Sequence, residues 1–111
     1  MANETRYILV TTTTDSEEAA KAIASELVGR RLAACVQVIG PIASTYRWKG
    51  RIESEREWLC LIKTRRSLYP KVEKAILALH NYETPEIIAL PIVAGSKGYL
   101  KWLQDETAKA N

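Results

Sequence analysis

The chain of 111 residues and 12.5 kDa is 47% hydrophobic and 26% charged, the balance of one globular domain (residues 1–111) rather than of a disordered or fibrous chain. Its net charge of +3 comes from 16 basic residues spread along the sequence, which leaves no clustered basic footprint for nucleic acid. Two cysteines make no disulfide framework, residues 1–6 hold no apolar leader, and no apolar run reaches the roughly 18 residues of a membrane span, so a soluble cytoplasmic protein is expected.

Residues 7–12 read as a first strand, apolar at Ile8, Leu9 and Val10 and continued by β-favouring threonines. Thr14 or Asp15 then caps a helix, with Asp15 and Glu18 spaced as a capping box. Ala20, Ile23, Ala24 and Leu27 share one face of that helix, and Gly29 is its expected stop. Residues 33–39 form a second strand, bent at Gly40-Pro41. Beyond the bend Ile42, Ser44, Tyr46 and Trp48 alternate with Ala43, Thr45, Arg47 and Lys49, the period of two that marks a strand. Gly50 marks a bulge or turn, and the polar Glu53-Ser54-Glu55 is the expected reversal. Residues 58–64 return as a third strand, with Trp58, Cys60, Ile62 and Thr64 on one face and Leu59, Leu61 and Lys63 continuing the row of Glu57 on the other.

Residues 67–79 are a second helix with Leu68, Val72, Ala75, Ile76 and Leu79 on one stripe; Pro70 is tolerated in its first turn. Pro85 prevents the helix from continuing through His80-Asn81-Tyr82-Glu83-Thr84-Pro85-Glu86. The apolar run at residues 87–93 then reads as a buried fourth strand, residues 94–98 as a loop and residues 99–106 as a short closing helix. The order β-α-β-β-α-β-α gives an α+β, ferredoxin-like βαββαβ fold. Its antiparallel four-stranded sheet carries both main helices on one face, a long hairpin between strands two and three, and a C-terminal helix. That hairpin exceeds the usual five or six residues per strand, and the face opposite the helices is bare in a monomer. Both features predict an oligomer.

The segment from His80 to Glu86 gathers the chain's one histidine, a tyrosine and two carboxylates. Imidazole and carboxylate suit a first-row divalent ion, so His80 and Glu83 are the candidate metal ligands; a second subunit would have to complete the set. The alternative makes His80 a helix-end residue at the negative end of the dipole. Tyr46 and Trp48 read either as subunit interface or as walls of a cleft with Lys63 and Glu86 as polar contacts. Lys63 is an ion-pair partner of a carboxylate or a contact to a small anion. Cys35 and Cys60 sit in strand-like runs as small hydrophobes. Lys49-Gly50 is followed by Arg51-Ile52, which lacks the aromatic platform of RNA-recognition domains. Residues 11–15 lack the glycine of an anion-cradling loop, which sets acyl-phosphate hydrolysis aside.

The sequence resembles the CutA family of divalent-cation tolerance proteins. The resemblance rests on Arg31-Leu32-Ala33-Ala34-Cys35-Val36, Tyr46-Arg47-Trp48-Lys49-Gly50-Arg51-Ile52-Glu53 and Leu61-Ile62-Lys63-Thr64. It continues through His80-Asn81-Tyr82-Glu83-Thr84-Pro85-Glu86-Ile87-Ile88-Ala89-Leu90-Pro91 and Tyr99-Leu100-Lys101-Trp102-Leu103. It implies a homotrimer with three sheets facing one another, built like the PII signalling proteins, with a role linked to copper and other divalent metals and no settled enzymatic activity; a protein that is not an enzyme is expected. The chain departs from the family at Asn81, where proline is usual. The family's copper-binding bacterial version carries a histidine and a cysteine where this chain has Leu79 and Thr11. The expected site is an intersubunit cleft formed by Cys35, Tyr46, Trp48, Lys63, Tyr82 and Glu86, with His80 and Glu83 on a copper or other divalent ion. The alternatives are an enzyme using His80 as general base, oriented by Glu83 or Glu86, and a scaffold for other proteins.

Overall fold

The structure is a computed structural model and describes residues 6–109. The first five residues, part of the segment read above as lacking a leader, lie outside it. In chain order the elements are β1 (Tyr7–Thr14), α1 (Glu17–Gly29), β2 (Cys35–Trp48), β3 (Arg51–Arg65), a 3-10 turn (Arg66–Leu68), α2 (Tyr69–Leu79), β4 (Ile88–Pro91) and α3 (Lys97–Glu106). The sheet order is β2-β3-β1-β4 with every neighbouring pair antiparallel, the ferredoxin-like arrangement expected from the element order.

Side-chain alternation sorts the sheet into two faces. Ile8, Val10, Cys60 and Ile62 face α1 and α2, where they bury Ala20, Ile23 and Leu27 of the first helix and Val72, Ala75 and Ile76 of the second. Each fully buried Leu, Ile or Val in this layer contributes about 1.5–3 kcal/mol relative to exposure. Cys60 has the buried, inert environment expected of it: its thiol approaches the Ala20 carbonyl at 3.9 Å and burial pushes it up to about 11. No helix among the described residues is long and apolar enough to cross a membrane.

Several local expectations are corrected. β1 runs to Thr14 because its four threonines are buried and pair in register with β3, Thr11 also with β4. The helix cap moves accordingly to Ser16, whose Oγ accepts from the Ala19 N–H at 3.1 Å; Asp15 stays exposed. At the other end of α1 the left-handed residue is Arg31 (φ 58°), not Gly29. Leu32 N–H donates to Leu27 O and Arg31 N–H to Val28 O, the paired bonds of a Schellman ending.

The hairpin reverses at Lys49-Gly50, where both residues have positive φ (51° and 79°), and Trp48 pairs with Arg51. This two-residue loop suits the strand twist. Glu53-Ser54-Glu55, the expected reversal, lies inside β3; its polarity reflects an exposed arm and not a turn. Register slips between Ile39 and Ile42, where Gly40 lies so close to the Trp58 ring that no Cβ fits.

β4 also departs from expectation. It is four residues long, pairs with β1 alone and is an exposed edge, with Ile88 53%, Leu90 44% and the following Val93 88% exposed. An apolar run reads as buried whichever surface later covers it. Register places Leu9, Thr11, Leu59, Leu61, Ile88 and Leu90 on the face away from α1 and α2. At one end of the sheet α3 is tied down: Tyr7 Oη donates to Gln104 Oε1 at 2.9 Å, while Arg65 donates to Thr107 Oγ1 and Ala108 O. The segment after α2 closes the other end.

Candidate functional site

That segment starts where α2 stops. His80 is the C-cap, extended (φ −78°, ψ 142°), with its N–H bonded to Ile76 O at 2.9 Å. Its ring Nε2 lies 2.8 Å from Thr13 O, a carbonyl that can only accept, so Nε2 carries the proton. Nδ1 in turn accepts the Tyr82 N–H at 3.2 Å. Both ring nitrogens are therefore engaged in latching the segment to β1. The Tyr82 ring packs against the imidazole, centroids 4.7 Å apart, and its hydroxyl donates to Glu57 Oε2 at 2.7 Å. Burial first, then this hydrogen bond and the charge on Glu57, raise the Tyr82 phenol well above the ordinary tyrosine range. Glu86 Oε2 accepts from Thr11 Oγ1 at 2.8 Å, and Asn81 Nδ2 donates to Asp15 Oδ2 at 3.1 Å.

Between this segment and the bent outer hairpin lies a cleft of roughly 620 Å³. Tyr46, Trp48 and Tyr82 supply its rings, Glu57, Glu83 and Glu86 its carboxylates, and Thr13, Ser44, Thr45 and Thr84 its hydroxyls. Among the described residues no lysine or arginine lines it. Glu57 is only 6% exposed. At the hairpin tip Lys49 Nζ stands 3.7 Å from Glu83 Oε1 and 5.6 Å from the centroid of the Trp48 ring. The Tyr46 phenol is also raised, by desolvation and then by Glu55, Glu57 and Glu53, in keeping with a negative potential along this arm.

Of the residues expected at the site, Tyr46, Trp48, Tyr82, Glu83 and Glu86 line one cleft, and His80 holds its wall from outside the lining. Cys35 and Lys63 are not brought there within the subunit. They pair with each other across β2 and β3, six residues from Glu57 along β3, or about 20 Å at 3.3 Å per residue. Lys63 donates to Gln37 Oε1. Lys63, read as the ion-pair partner of a carboxylate or a contact to a small anion, meets an amide oxygen within the subunit. Glu57 was missed as a site residue. Its signal was a charged residue continuing the row of Leu59 and Leu61, which puts a carboxylate beneath whatever covers that face.

Copper, the metal implied by the family resemblance, finds no ligand set in the single chain. His80 offers no free nitrogen, Leu79 and Thr11 stand where the copper-binding version has histidine and cysteine, and Cys35 is remote. Among the described residues no three His, Cys, Asp or Glu side chains are gathered as a metal cage.

Comparison with known proteins places this geometry in a wider set. A family model described as CutA1 divalent ion tolerance protein matches residues 8–106. The Thermus thermophilus divalent-cation tolerance protein CutA is 46% identical over 99 residues, covering 89% of this chain and 96% of the relative. A chloroplastic CutA protein of Arabidopsis thaliana is 44% identical over 100 residues, covering 90% of this chain and 55% of the plant protein. The chain thus spans about half the length of that relative. A crystal structure of CutA1 from the psychrotrophic bacterium Shewanella sp. SIB1 superposes with a TM-score of 0.93 at 36% identity, covering 96% of this chain and 100% of the other.

Proposed function

The chain belongs to the CutA1 divalent ion tolerance family, and from that premise we propose that it is a cation-responsive binding protein acting as a PII-like homotrimer in the cytoplasm. Each subunit is one domain, residues 1–111. One observation carries the cation reading: the cleft presents three carboxylates, hydroxyls and aromatic faces with no lining cation, an acceptor-rich surface that favours positive charge. A hard divalent ion would be drawn by the summed charge of Glu57, Glu83 and Glu86, which are spread along the lining; Glu83, exposed and paired with Lys49, is its most accessible oxygen ligand, and a sister subunit would have to complete the set. His80, expected as a ligand, acts in this reading by fixing the segment that carries Glu83 and Glu86.

Assembly is supported by the uncovered apolar face, with Leu90 and Ile88 at its edge, and by the largely exposed hairpin. Packing sister subunits there would bring Cys35 and Lys63 of one copy into a seam, the arrangement in which the expected site residues would complete one another. Binding rather than catalysis is favoured because a general base needs a free nitrogen facing a substrate, and both His80 nitrogens are committed.

The test is calorimetric titration of magnesium, manganese, copper and zinc into wild type, Glu57→Gln and His80→Ala, with light scattering for the assembly. Divalent binding weakened in Glu57→Gln by a particle of trimer mass supports the proposal. A stable monomer at micromolar concentration, or identical isotherms for wild type and Glu57→Gln with every metal, would refute it.

A further inference from the structure

The cleft is built for something larger than a bare ion. Its volume falls in the range of small-molecule sites, and its carboxylates are spread around the lining rather than gathered for one metal. Three aromatic rings share that lining with them. An aromatic face and a carboxylate together are the surroundings an organic ammonium ion prefers, because the ring quadrupole and the carboxylate both attract positive charge while the ring tolerates alkyl groups.

The molecule already displays that recognition. Lys49, a primary ammonium on a flexible stem, sits at the rim with its Nζ 3.7 Å from Glu83 and 5.6 Å from the centre of the Trp48 ring. Deeper in the cleft, among the described residues, the side-chain hydrogen bond to Glu57 is the one from Tyr82 on Oε2; Oε1 has no donor. The Trp48 and Tyr46 faces are 36% and 40% exposed, uncovered by their own chain.

We propose that the cleft binds a small organic ammonium ion, primary or quaternary, and that Lys49 holds its rim as a tethered stand-in when the ligand is away. The inference rests on the reading of the cleft as a cation site. Trp48 and Tyr46 take the alkyl groups and the cation face, and Glu57 neutralises the charge from the buried end. A ligand entering at the rim displaces Lys49 from Glu83, so the chain's own side chain competes with the ligand.

The experiment follows the indole N–H resonance of Trp48, assigned with Trp48→Phe, in the full-length protein. Butylammonium and tetramethylammonium chloride are titrated in, with 1-butanol as the uncharged control. Saturable shifts with both ammonium salts and none with butanol are expected. Glu57→Gln should weaken binding about tenfold through loss of the buried charge. Lys49→Asn removes the tethered competitor while keeping a residue that tolerates positive φ, and should tighten binding about two- to fivefold. That gain has no source in a merely structural role for Lys49. Unchanged or weaker affinity in Lys49→Asn, or equal shifts with butanol, overturns the proposal. Divalent ions shifting the signal while both ammonium salts fail also overturns it but leaves the cation site in place. Silence toward every cation removes both readings.

Discussion

Replacing His80 by alanine separates a latch from a ligand. The substitution removes the Nε2–H bond to Thr13 O and the Nδ1 acceptor of the Tyr82 N–H, both in a part-buried setting, together with the ring packing against Tyr82. Each hydrogen bond contributes about 1 kcal/mol net, and leaving the Thr13 carbonyl and Tyr82 amide without partners pushes the loss toward about 2–3 kcal/mol. For a domain of this size that lowers Tm by roughly 10 °C, measured by circular dichroism at one fixed protein concentration. Hydrogen exchange supplies the local readout: the Tyr82 amide should lose protection ahead of the core amides of β1 and β3. His80→Gln, with one amide donor and one acceptor, should recover part of both effects. A wild-type Tm and a protected Tyr82 amide in His80→Ala, accompanied by loss of metal binding, would refute the latch and make the imidazole a ligand.

Three further outcomes follow from the same contacts. Tyr82 is raised in the folded state, so its contribution to stability is present below the ordinary tyrosine value of 10.0 and is lost as pH climbs through the folded value. Glu57→Gln should bring the last-ionising tyrosine part of the way down in a tyrosinate absorbance titration, burial holding the rest; an unmoved profile would remove Glu57 as a contributor. Gly40→Ala puts a Cβ 2.7 Å from Trp58 Cγ and should cost about 1–3 kcal/mol in urea unfolding, with a neutral result showing that the ring can step aside. Leu90→Lys charges the edge strand on the uncovered face and should shift the proposed trimer toward monomer in light scattering; a variant with the same mass as wild type would move the interface elsewhere.

Much of this molecule is legible in the sequence because the signals are local. Alternation through Cys60, Ile62 and Thr64 marks the face that meets the helices, the stripe of Val72, Ala75 and Ile76 orients α2, and the element order allows few topologies besides the ferredoxin-like one. Local signals together with the family resemblance placed Cys35, Tyr46, Trp48, Lys63, Tyr82, Glu83 and Glu86 among the candidates; within the subunit all but Cys35 and Lys63 line the cleft. Local signals misplaced what depends on surroundings: a polar stretch at Glu53-Ser54-Glu55 looks alike in a turn and on an exposed strand, and the apolar β4 looks alike as interior and as edge.

Tertiary structure alone decided the chemistry of the site. Nothing within a few residues of His80 says that the carbonyl of Thr13, 67 positions away, accepts the hydrogen bond of its Nε2–H, or that the hydroxyl of Tyr82 finds Glu57 across 25 positions. Spacing along the chain reports which way a side chain points, through the 2.0 and 3.6 residue periods of strand and helix. Which groups it meets there depends on how the strands are registered and how the segment after α2 crosses the sheet end. That is why the fold could be read from 111 letters, while the partners of the two His80 ring nitrogens required the folded chain.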